Sequence, residues 1–302
     1  MLEKQIPLPD SNKLIGSAPD LAAKSGAGKS GKIAVFDSGV GGVSVLAEIM
    51  RLLPDEDFLY FADAASAPYG SKDTETLRSL IITRAENLLS RGIKALVIAC
   101  NTATSVAVRQ LRELYREIPV LGIEPAVKPA LENSAGRVLV LATGLTVREQ
   151  KLRDLISRLA QDREVRLTAC PGLMELIEAD PLSPETERYL TEKVTENGSV
   201  PEAVVLGCTH YLFSRPLLTK NFPAMQIFDG NKGLARHLAK ILKEKNLLKN
   251  DIADQEPEAA EHFPPFRGRM TWDNSLTGIR QPEYSEKCRR YLEIYRQIQQ
   301  AD

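Results

Sequence analysis

Two cysteines stand where apolar runs of the sequence end and small polar residues begin. Cys100 follows the apolar residues of VIACNTATS, and Cys208 follows those of VVLGCTHY. A buried structural cysteine would more often lie inside the apolar run. At a strand end that starts a helix, the helix dipole and free N–H groups favour the thiolate and lower the thiol pKa from about 8.5. We therefore expect each cysteine to serve as an acid or base near neutral pH.

The matched pair indicates a symmetrical reaction. Two thiols on opposite walls of a cleft could take a proton from one face of a carbon and return one to the other face. Three other interpretations stay open, namely buried packing, a metal site completed by His210, and a redox disulfide. The polar residues after each cysteine disfavour packing. The lack of a C-x-x-C pair disfavours metal binding and redox chemistry.

Short β-rich runs, which alternate with amphipathic segments from Lys32 onward, must position these cysteines. The runs are KIAVFD, DFLYFAD, KALVIA, PVLGI, GRVLVLA, EVRLTA, EAVVLG and MQIFD. Continuous apolar strands separated by helices are typical of parallel sheets covered on both faces. The sequence predicts an α/β fold of two similar doubly wound domains with mostly parallel sheets.

The two parts of the chain look related. Ile33 precedes Cys100 by 67 residues, and Val138 precedes Cys208 by 70. Each cysteine would then stand at the carboxyl end of an equivalent strand, which is where open α/β sheets bind ligands. We expect both cysteines to face one cleft between the domains.

Composition limits the partners and the compartment. The 302 residues carry a formal charge of -1, which gives no indication of a nucleic-acid or anionic-membrane surface. Four scattered cysteines favour a reducing cytoplasm. Neither a signal-peptide core nor an apolar run of about 20 residues is present, so we expect no membrane association. Residues 1–31 are predicted to be a flexible tail, 248–270 an irregular excursion, and a last helix is expected to begin near Pro282.

Two glycine-rich segments resemble phosphate-binding motifs. GAGKSGKI at 26–33 has Ile33 where a P-loop needs Ser or Thr, and it precedes the first strand, so we interpret it as a linker. FDSGVGGVS at 36–44 resembles a dinucleotide fingerprint, but the charge of Asp37 would oppose a pyrophosphate there. A tight turn that presents Asp37 and Ser38 to the cleft is favoured. A nicotinamide enzyme stays open as an alternative.

Taken together, the motifs resemble those of glutamate racemase. They are IAVFDSGVGGVSVL, APYG at 67–70, IACNTATSVA, GIEPAVKPA at 122–130, LATGLT at 141–146 and VVLGCTHY, and the resemblance covers about residues 32–245. The histidine after Cys-Thr is typical of the glutamate branch. The resemblance implies a cofactor-independent enzyme, without a metal, that interconverts L- and D-glutamate and supplies D-glutamate for peptidoglycan.

The same resemblance implies a set of site residues. Cys100 would act on D-glutamate and Cys208 on L-glutamate, assisted by Asp37, His210 and Glu178, although the CPGLMELIE segment of Glu178 departs from the commoner CPLFVPLVE. The implied substrate contacts are Asp37, Ser38, Tyr69, Gly70, Asn101, Thr102, Thr143, Thr146, Thr209 and His210. The strand-end motifs contain neither Lys nor Arg, so hydroxyls, the Asn101 amide and backbone N–H groups are expected to hold the substrate carboxylates. Tyr69 as a core aromatic, His210 as a buried histidine and Glu178 as a surface residue are the structural alternatives.

The resemblance also implies a domain division and partners. One domain would comprise residues 32–122 plus 231–302, and the other residues 123–230. The tail at 1–31 resembles an extension that helps bind the activator UDP-N-acetylmuramoyl-alanine, with an unstructured tail as the alternative, and a homodimer is compatible with the family. Two rival functions stay open, an aspartate racemase of the same superfamily and a non-catalytic amino-acid-binding protein.

Overall fold

Strands and helices alternate along the first part of the chain. The computed structural model describes residues 28–196, 198–250, 263–277 and 280–301, so most of the predicted tail and of the predicted excursion lies outside the described residues. A 3-10 turn at Gly28–Ser30 precedes the first strand, which agrees with a linker and not with a P-loop. The elements that follow are β1 (Lys32–Asp37), α1 (Val43–Leu52), β2 (Phe58–Ala62), α2 (Thr74–Leu89), β3 (Ile93–Ile98), α3 (Asn101–Leu114) and β4 (Val120–Gly122).

The remaining elements continue the alternation and add one strand that the sequence did not predict. They are α4 (Val127–Asn133), β5 (Val138–Ala142), α5 (Gly144–Arg148), α6 (Gln150–Ala160), β6 (Val165–Ala169), α7 (Leu173–Ala179), α8 (Pro184–Thr195), β7 (Ala203–Gly207), a 3-10 segment (Thr209–Ser214), α9 (Arg215–Asn221), β8 (Gln226–Phe228), α10 (Asn231–Glu244), β9 (Met270–Asn274) and α11 (Arg280–Ala301). The strand missed by sequence reasoning is β9. The final helix begins two residues before the predicted Pro282.

Two parallel sheets share one topology. The first sheet has the order β4-β3-β1-β2-β9 and the second has the order β6-β5-β7-β8. Every described pair of neighbouring strands is parallel. Read from the opposite edge, the second sheet is β8-β7-β5-β6, so β1 to β4 correspond in order to β5 to β8. The predicted fold class is therefore confirmed, and β9 is an addition to the first sheet.

The central strands are buried because helices cover both faces of each sheet. All residues of β2, β3, β5 and β7 are buried, which explains why their sequences are apolar at every position except Lys94 of β3. On one side of the first sheet, α10 and α11 pack against α1. None of the described helices has the length and hydrophobicity that a membrane span requires.

A buried charge cluster closes the amino-terminal edge of the first sheet. The Lys94 ammonium pairs with Glu56 and donates to the carbonyl oxygens of Lys29 (2.9 Å) and Leu247 (2.8 Å). The other carboxylate oxygen of Glu56 accepts from the backbone N–H of Lys249 at 2.8 Å. Side chains of both ions are almost fully buried. The cluster ties the chain before β1 and the chain after α10 to the same sheet edge.

Candidate active site

The topology brings four strand ends to one crevice. In each sheet the strand order reverses between the first and third strands of the repeat, and ligands of open α/β sheets bind at such switch points. In the first sheet, β1 ends at Asp37 and is followed by Ser38, and β3 is followed by Cys100. In the second sheet, β5 is followed by Thr143 and β7 by Cys208. The site residues predicted from the sequence therefore follow the carboxyl ends of equivalent strands in the two sheets.

A cleft of about 430 Å³ is lined by residues from both sheets. Each of Cys100 and Cys208 is 7% exposed, and both line this cleft. The other predicted residues in its wall are Ser38, Tyr69, Gly70, Asn101, Thr102, Thr143, Thr209 and His210. Three predicted residues, Asp37, Thr146 and Glu178, do not line it and contact the wall residues from behind.

The Cys100 thiol lies at the start of α3, and its sulfur is 3.6 Å from the Ser38 hydroxyl. Burial raises the pKa of Cys100 to about 12, and the Asp37 charge adds to this effect. The backbone N–H of Ala103 and the Ser38 hydroxyl oppose the rise without cancelling it. A helix terminus contributes at most about 2 kcal/mol, or roughly 1.5 pKa units, which desolvation of a buried charge exceeds. The predicted lowering of the thiol pKa is therefore wrong for Cys100, which holds its proton at neutral pH.

The Cys208 thiol faces an ion-paired histidine. Nδ1 of His210 is 4.0 Å from the Cys208 sulfur, and Nε2 is 2.9 Å from a carboxylate oxygen of Glu178. Burial alone would lower the pKa of His210, but the interactions with Cys208 and Glu178 outweigh it and raise the pKa to about 10. At neutral pH His210 is therefore an imidazolium beside Cys208.

Glu178 is held by two cations. Its second carboxylate oxygen accepts from the Lys287 ammonium at 2.6 Å. Burial would raise the pKa of Glu178, but His210 and Lys287 together lower it to about 2. Glu178 is thus a carboxylate throughout the physiological pH range and orients the His210 ring. These contacts favour the predicted assisting role over the alternative of a plain surface residue.

Asp37 is fully buried at the end of β1 and contacts the cleft wall through Thr209. Its carboxylate accepts from the backbone N–H of Gly39 at 2.7 Å and from the Thr209 hydroxyl at 3.4 Å. Burial raises the pKa of Asp37, and the charge of His210 only partly offsets the rise. Asp37 therefore links the end of β1 to the segment that follows Cys208.

Thr102, Thr143 and Tyr69 complete the walls, and Thr146 supports them from outside the cleft. The Thr102 hydroxyl oxygen is 2.9 Å from that of Thr143 and 3.2 Å from that of Thr146. Thr146 itself lines a neighbouring pocket and not this cleft. Tyr69 lines the cleft, but it is almost fully buried and its hydroxyl donates to Asp63 at 2.8 Å. Tyr69 thus combines the predicted wall position with the alternative core role.

Sequence reasoning missed several wall residues. Arg148 and Glu175 place charges in the cleft wall, although the strand-end motifs contain no cation. Arg148 ends the short helix that follows Thr143, and its position only two residues after the LATGLT motif was the available signal. Cys170 also lines the cleft. Among the described residues, no group of His, Cys, Asp and Glu side chains is arranged to hold a metal ion.

Known proteins share both the sequence pattern and the fold. The profile of the Asp/Glu/Hydantoin racemase family matches residues 41–238. The glutamate racemase of Halothermothrix orenii is 47% identical over 215 residues, which are 70% of this chain and 85% of that protein. Glutamate racemase from Francisella tularensis, solved with D-glutamate, superposes with a TM-score of 0.71 at 25% identity and covers 87% of this chain and 94% of that one. The Escherichia coli glutamate racemase, solved with L-glutamate and the activator UDP-MurNAc-Ala, gives a TM-score of 0.71 at 29% identity and covers 88% of this chain and 95% of that one.

These matches and the paired sheets define a racemase-type α/β enzyme. The chain belongs to the Asp/Glu/Hydantoin racemase family. The resemblance to glutamate racemases predicted from the motifs is confirmed.

Proposed function

We propose that this protein is a glutamate racemase in which Cys100 and Cys208 are the two acid/bases. The observation that carries the proposal is that the two cysteines follow the carboxyl ends of equivalent strands and that both line one cleft. Each thiol has its own polar neighbour, the Ser38 hydroxyl beside Cys100 and the imidazolium of His210 beside Cys208. Such a pair can address the two faces of one carbon.

In the direction from L- to D-glutamate, the Cys208 thiolate takes the α-proton and the C–H electron pair stays on the substrate. The Cys100 thiol then gives its proton to the opposite face, which forms the new C–H bond and leaves a thiolate at Cys100. The reverse reaction begins with the Cys100 thiolate and a Cys208 thiol. Each turnover therefore exchanges the protonation states of the two cysteines, and proton exchange must restore them.

The electrostatics of the free protein suit the first direction. The pKa of about 12 keeps Cys100 a thiol, ready to donate. The imidazolium of His210 supplies a cation 4.0 Å from the Cys208 sulfur. We propose that the resting enzyme is set to accept L-glutamate.

The substrate would be held mainly by neutral groups. Hydroxyls of Ser38, Thr102 and Thr209 line the cleft, and Asn101 begins the 14-residue helix α3, whose first N–H groups can receive a carboxylate. The exposed cation of Arg148 in the wall adds a favourable field for a dianionic amino acid. Tyr69, Gly70, Thr143 and Thr146 shape this cradle and fix its hydroxyl network.

We propose that the halves are domains of residues 32–122 plus 231–302 and residues 123–230. The chain crosses between the sheets after β4 and again before α10. These crossings lie against each other, because a Cβ on Gly230 would overlap the carbonyl oxygen of Glu124. Two adjacent crossings form a narrow hinge beside the carboxyl ends of β4 and β8, so opening of the cleft would need backbone changes at few positions.

The proposed product has a defined use. D-Glutamate would supply peptidoglycan synthesis in the cytoplasm. The complex of the E. coli enzyme with UDP-MurNAc-Ala supports testing this precursor as an activator, and the predicted tail of residues 1–31 is the segment to delete. Deletion should abolish any stimulation without loss of the fold.

Circular dichroism of the amino acid tests the proposal directly. Purified protein should bring L- or D-glutamate to zero optical rotation and should act more slowly on aspartate. Alanine at Cys100 or Cys208 should abolish racemisation both ways, whereas alanine at Cys288, which lies outside the cleft lining, should retain it. In heavy water, deuterium should appear early in the product enantiomer and hardly at all in recovered substrate. Equal early labelling of substrate and product would point to a single base and contradict the two-thiol mechanism.

A further inference from the structure

The last helix, α11, contacts both halves of the molecule. The Tyr295 hydroxyl donates to the Glu48 carboxylate of α1 at 3.3 Å. Four residues earlier, the Tyr291 hydroxyl donates to the Ile177 carbonyl oxygen of α7 at 2.9 Å. The start of the helix is fixed through Asn274, whose amide donates to the Gln281 carbonyl oxygen at 2.9 Å. The rotation of α11 about its axis is therefore set by contacts other than those of Lys287.

Lys287 lies on the face of α11 that this rotation turns toward Glu178. Its ammonium is 2.6 Å from one oxygen of the Glu178 carboxylate, and the other oxygen is 2.9 Å from Nε2 of His210. The opposite ring nitrogen, Nδ1, faces the Cys208 sulfur. Lysine, carboxylate and imidazole thus form a continuous chain that ends at a proposed acid/base.

We infer that Lys287 is a positioning residue for the proton transfer at Cys208, acting through Glu178 and His210. The inference rests on the proposed function. Lys287 lies outside residues 41–238 that the family profile matches, so neither the match nor the sequence motifs assign it.

Two physical effects give Lys287 this role. With one carboxylate oxygen held by the ammonium, the other is kept directed at His210, which fixes the ring plane and the position of Nδ1. Lys287 also changes the local charge. The charges of Glu178 and His210 cancel, so the added ammonium gives the three hydrogen-bonded groups a net positive charge beside Cys208. A thiolate that forms at Cys208 during the reaction is therefore stabilised more by Lys287, Glu178 and His210 together than by Glu178 and His210 alone.

Other charged and titratable groups surround His210. Asp37 interacts with it from β1, and the Tyr284 hydroxyl of α11 lies near the Gly39 turn that also approaches the ring. The pKa of Tyr284 is raised by burial, so this hydroxyl stays neutral. Asp37 is thus the anion that opposes the net positive charge of the three hydrogen-bonded groups, and Lys287 partly balances it.

A purely structural ion pair would behave differently. The Lys287 side chain is 33% exposed and that of Glu178 is 23% exposed. Partly exposed ion pairs contribute little to folding, so removal of the Lys287 charge should lower the unfolding temperature by no more than about 4 °C. A large fall in kcat/KM together with so small a fall in unfolding temperature would therefore require a positioning role for Lys287, because a purely structural ion pair would not produce it.

The test compares Lys287→Met with Lys287→Arg, and with Arg289→Met as the control on the exposed face of the same helix. Loss of the charge should lower kcat/KM for glutamate by about 10- to 100-fold in both directions, because a charge-assisted hydrogen bond is removed. Lys287→Arg should recover most of the activity, and Arg289→Met should equal wild type.

Isotope effects locate the affected step. If transfer at Cys208 is slowed, the deuterium isotope effect on kcat/KM should rise in Lys287→Met with α-deuterated L-glutamate and fall with α-deuterated D-glutamate. Equal changes in the isotope effect for the two enantiomers, activity equal to the control, or a fall in unfolding temperature well beyond about 4 °C would overturn the inference. A wild-type protein that fails to racemise glutamate would instead refute the proposed function, and this inference with it.

Discussion

Replacement of Gly41 by alanine should push the turn after β1 and the His210 ring apart, and so lower activity, without unfolding the protein. Gly41 lies in the turn between β1 and α1, and an added Cβ would overlap the Thr209 hydroxyl oxygen and stand 2.5 Å from Nδ1 of His210. Its backbone is outside the left-handed region, so alanine causes no dihedral strain. The expected effect therefore comes from contact alone.

The magnitude follows from the overlap. Non-bonded heavy atoms are comfortable at about 3.5 Å, so His210 or the turn must move by about 1 Å. A displacement of about 1 Å at a reacting centre can cost about 100-fold in rate. We expect kcat/KM for both enantiomers of glutamate to fall about 100-fold, and the free energy of unfolding to fall by about 1–3 kcal/mol, as for an overpacked site.

A second glycine provides the matched control. A Cβ on Gly233, inside α10, would meet no atom within 4 Å. Alanine there should leave racemisation unchanged and raise the free energy of unfolding by about 0.5–1 kcal/mol. Circular dichroism of glutamate and urea unfolding measure the two quantities. A folded Gly41→Ala protein with more than half of the wild-type kcat/KM would show that the turn does not set the position of His210.

Three further outcomes are expected. Lys94→Met should lower the free energy of unfolding by about 3–5 kcal/mol because it leaves Glu56 buried without its cation, and Lys94→Met/Glu56→Met should recover much of that loss; an additive double variant in urea unfolding would contradict this. Glu178→Gln should destabilise most between pH 4.5 and 6.5: the carboxylate, with its pKa lowered to about 2, stabilises above 4.5, and His210, with its pKa raised to about 10, stabilises below 6.5. The difference in unfolding free energy between wild type and Glu178→Gln should shrink as the pH rises through 10. A difference that does not depend on pH would refute the ion-pair assignment. Racemisation should survive dialysis against a chelator, and a requirement for added metal or pyridoxal phosphate would exclude the two-thiol mechanism.

The positions of the cysteines were predictable because they depend on local patterns. An apolar run that ends in a thiol and small polar residues marks a strand end, and two such runs at similar spacing mark equivalent strands. Cys100 and Cys208 therefore occupy corresponding positions after β3 and β7. Local patterning also predicted the eight strands of the repeat.

Features that depend on distant contacts could not be predicted. The strand β9 is only five residues long, and its partner β2 lies more than 200 residues earlier in the chain. The raised pKa of Cys100 arises from burial, which the sequence around the cysteine does not reveal. The contact of Lys287 with Glu178 depends on how α11 is rotated against α7, and that rotation is set by contacts between residues more than 100 positions apart in the chain.

The parallel pairing of β9 with β2 has a consequence for synthesis of the protein. The four strands of the second sheet are continuous in sequence, whereas the first sheet stays incomplete until β9 and α11 have been made. On a translating ribosome, the second sheet can assemble while the β2 edge of the first still lacks its neighbour, and an unpaired edge can pair with other chains. The residues that close this edge are followed directly by the helix that carries Lys287. Protection of the nascent chain against aggregation and completion of the Cys208 side of the cleft are therefore successive steps that follow synthesis of the second sheet.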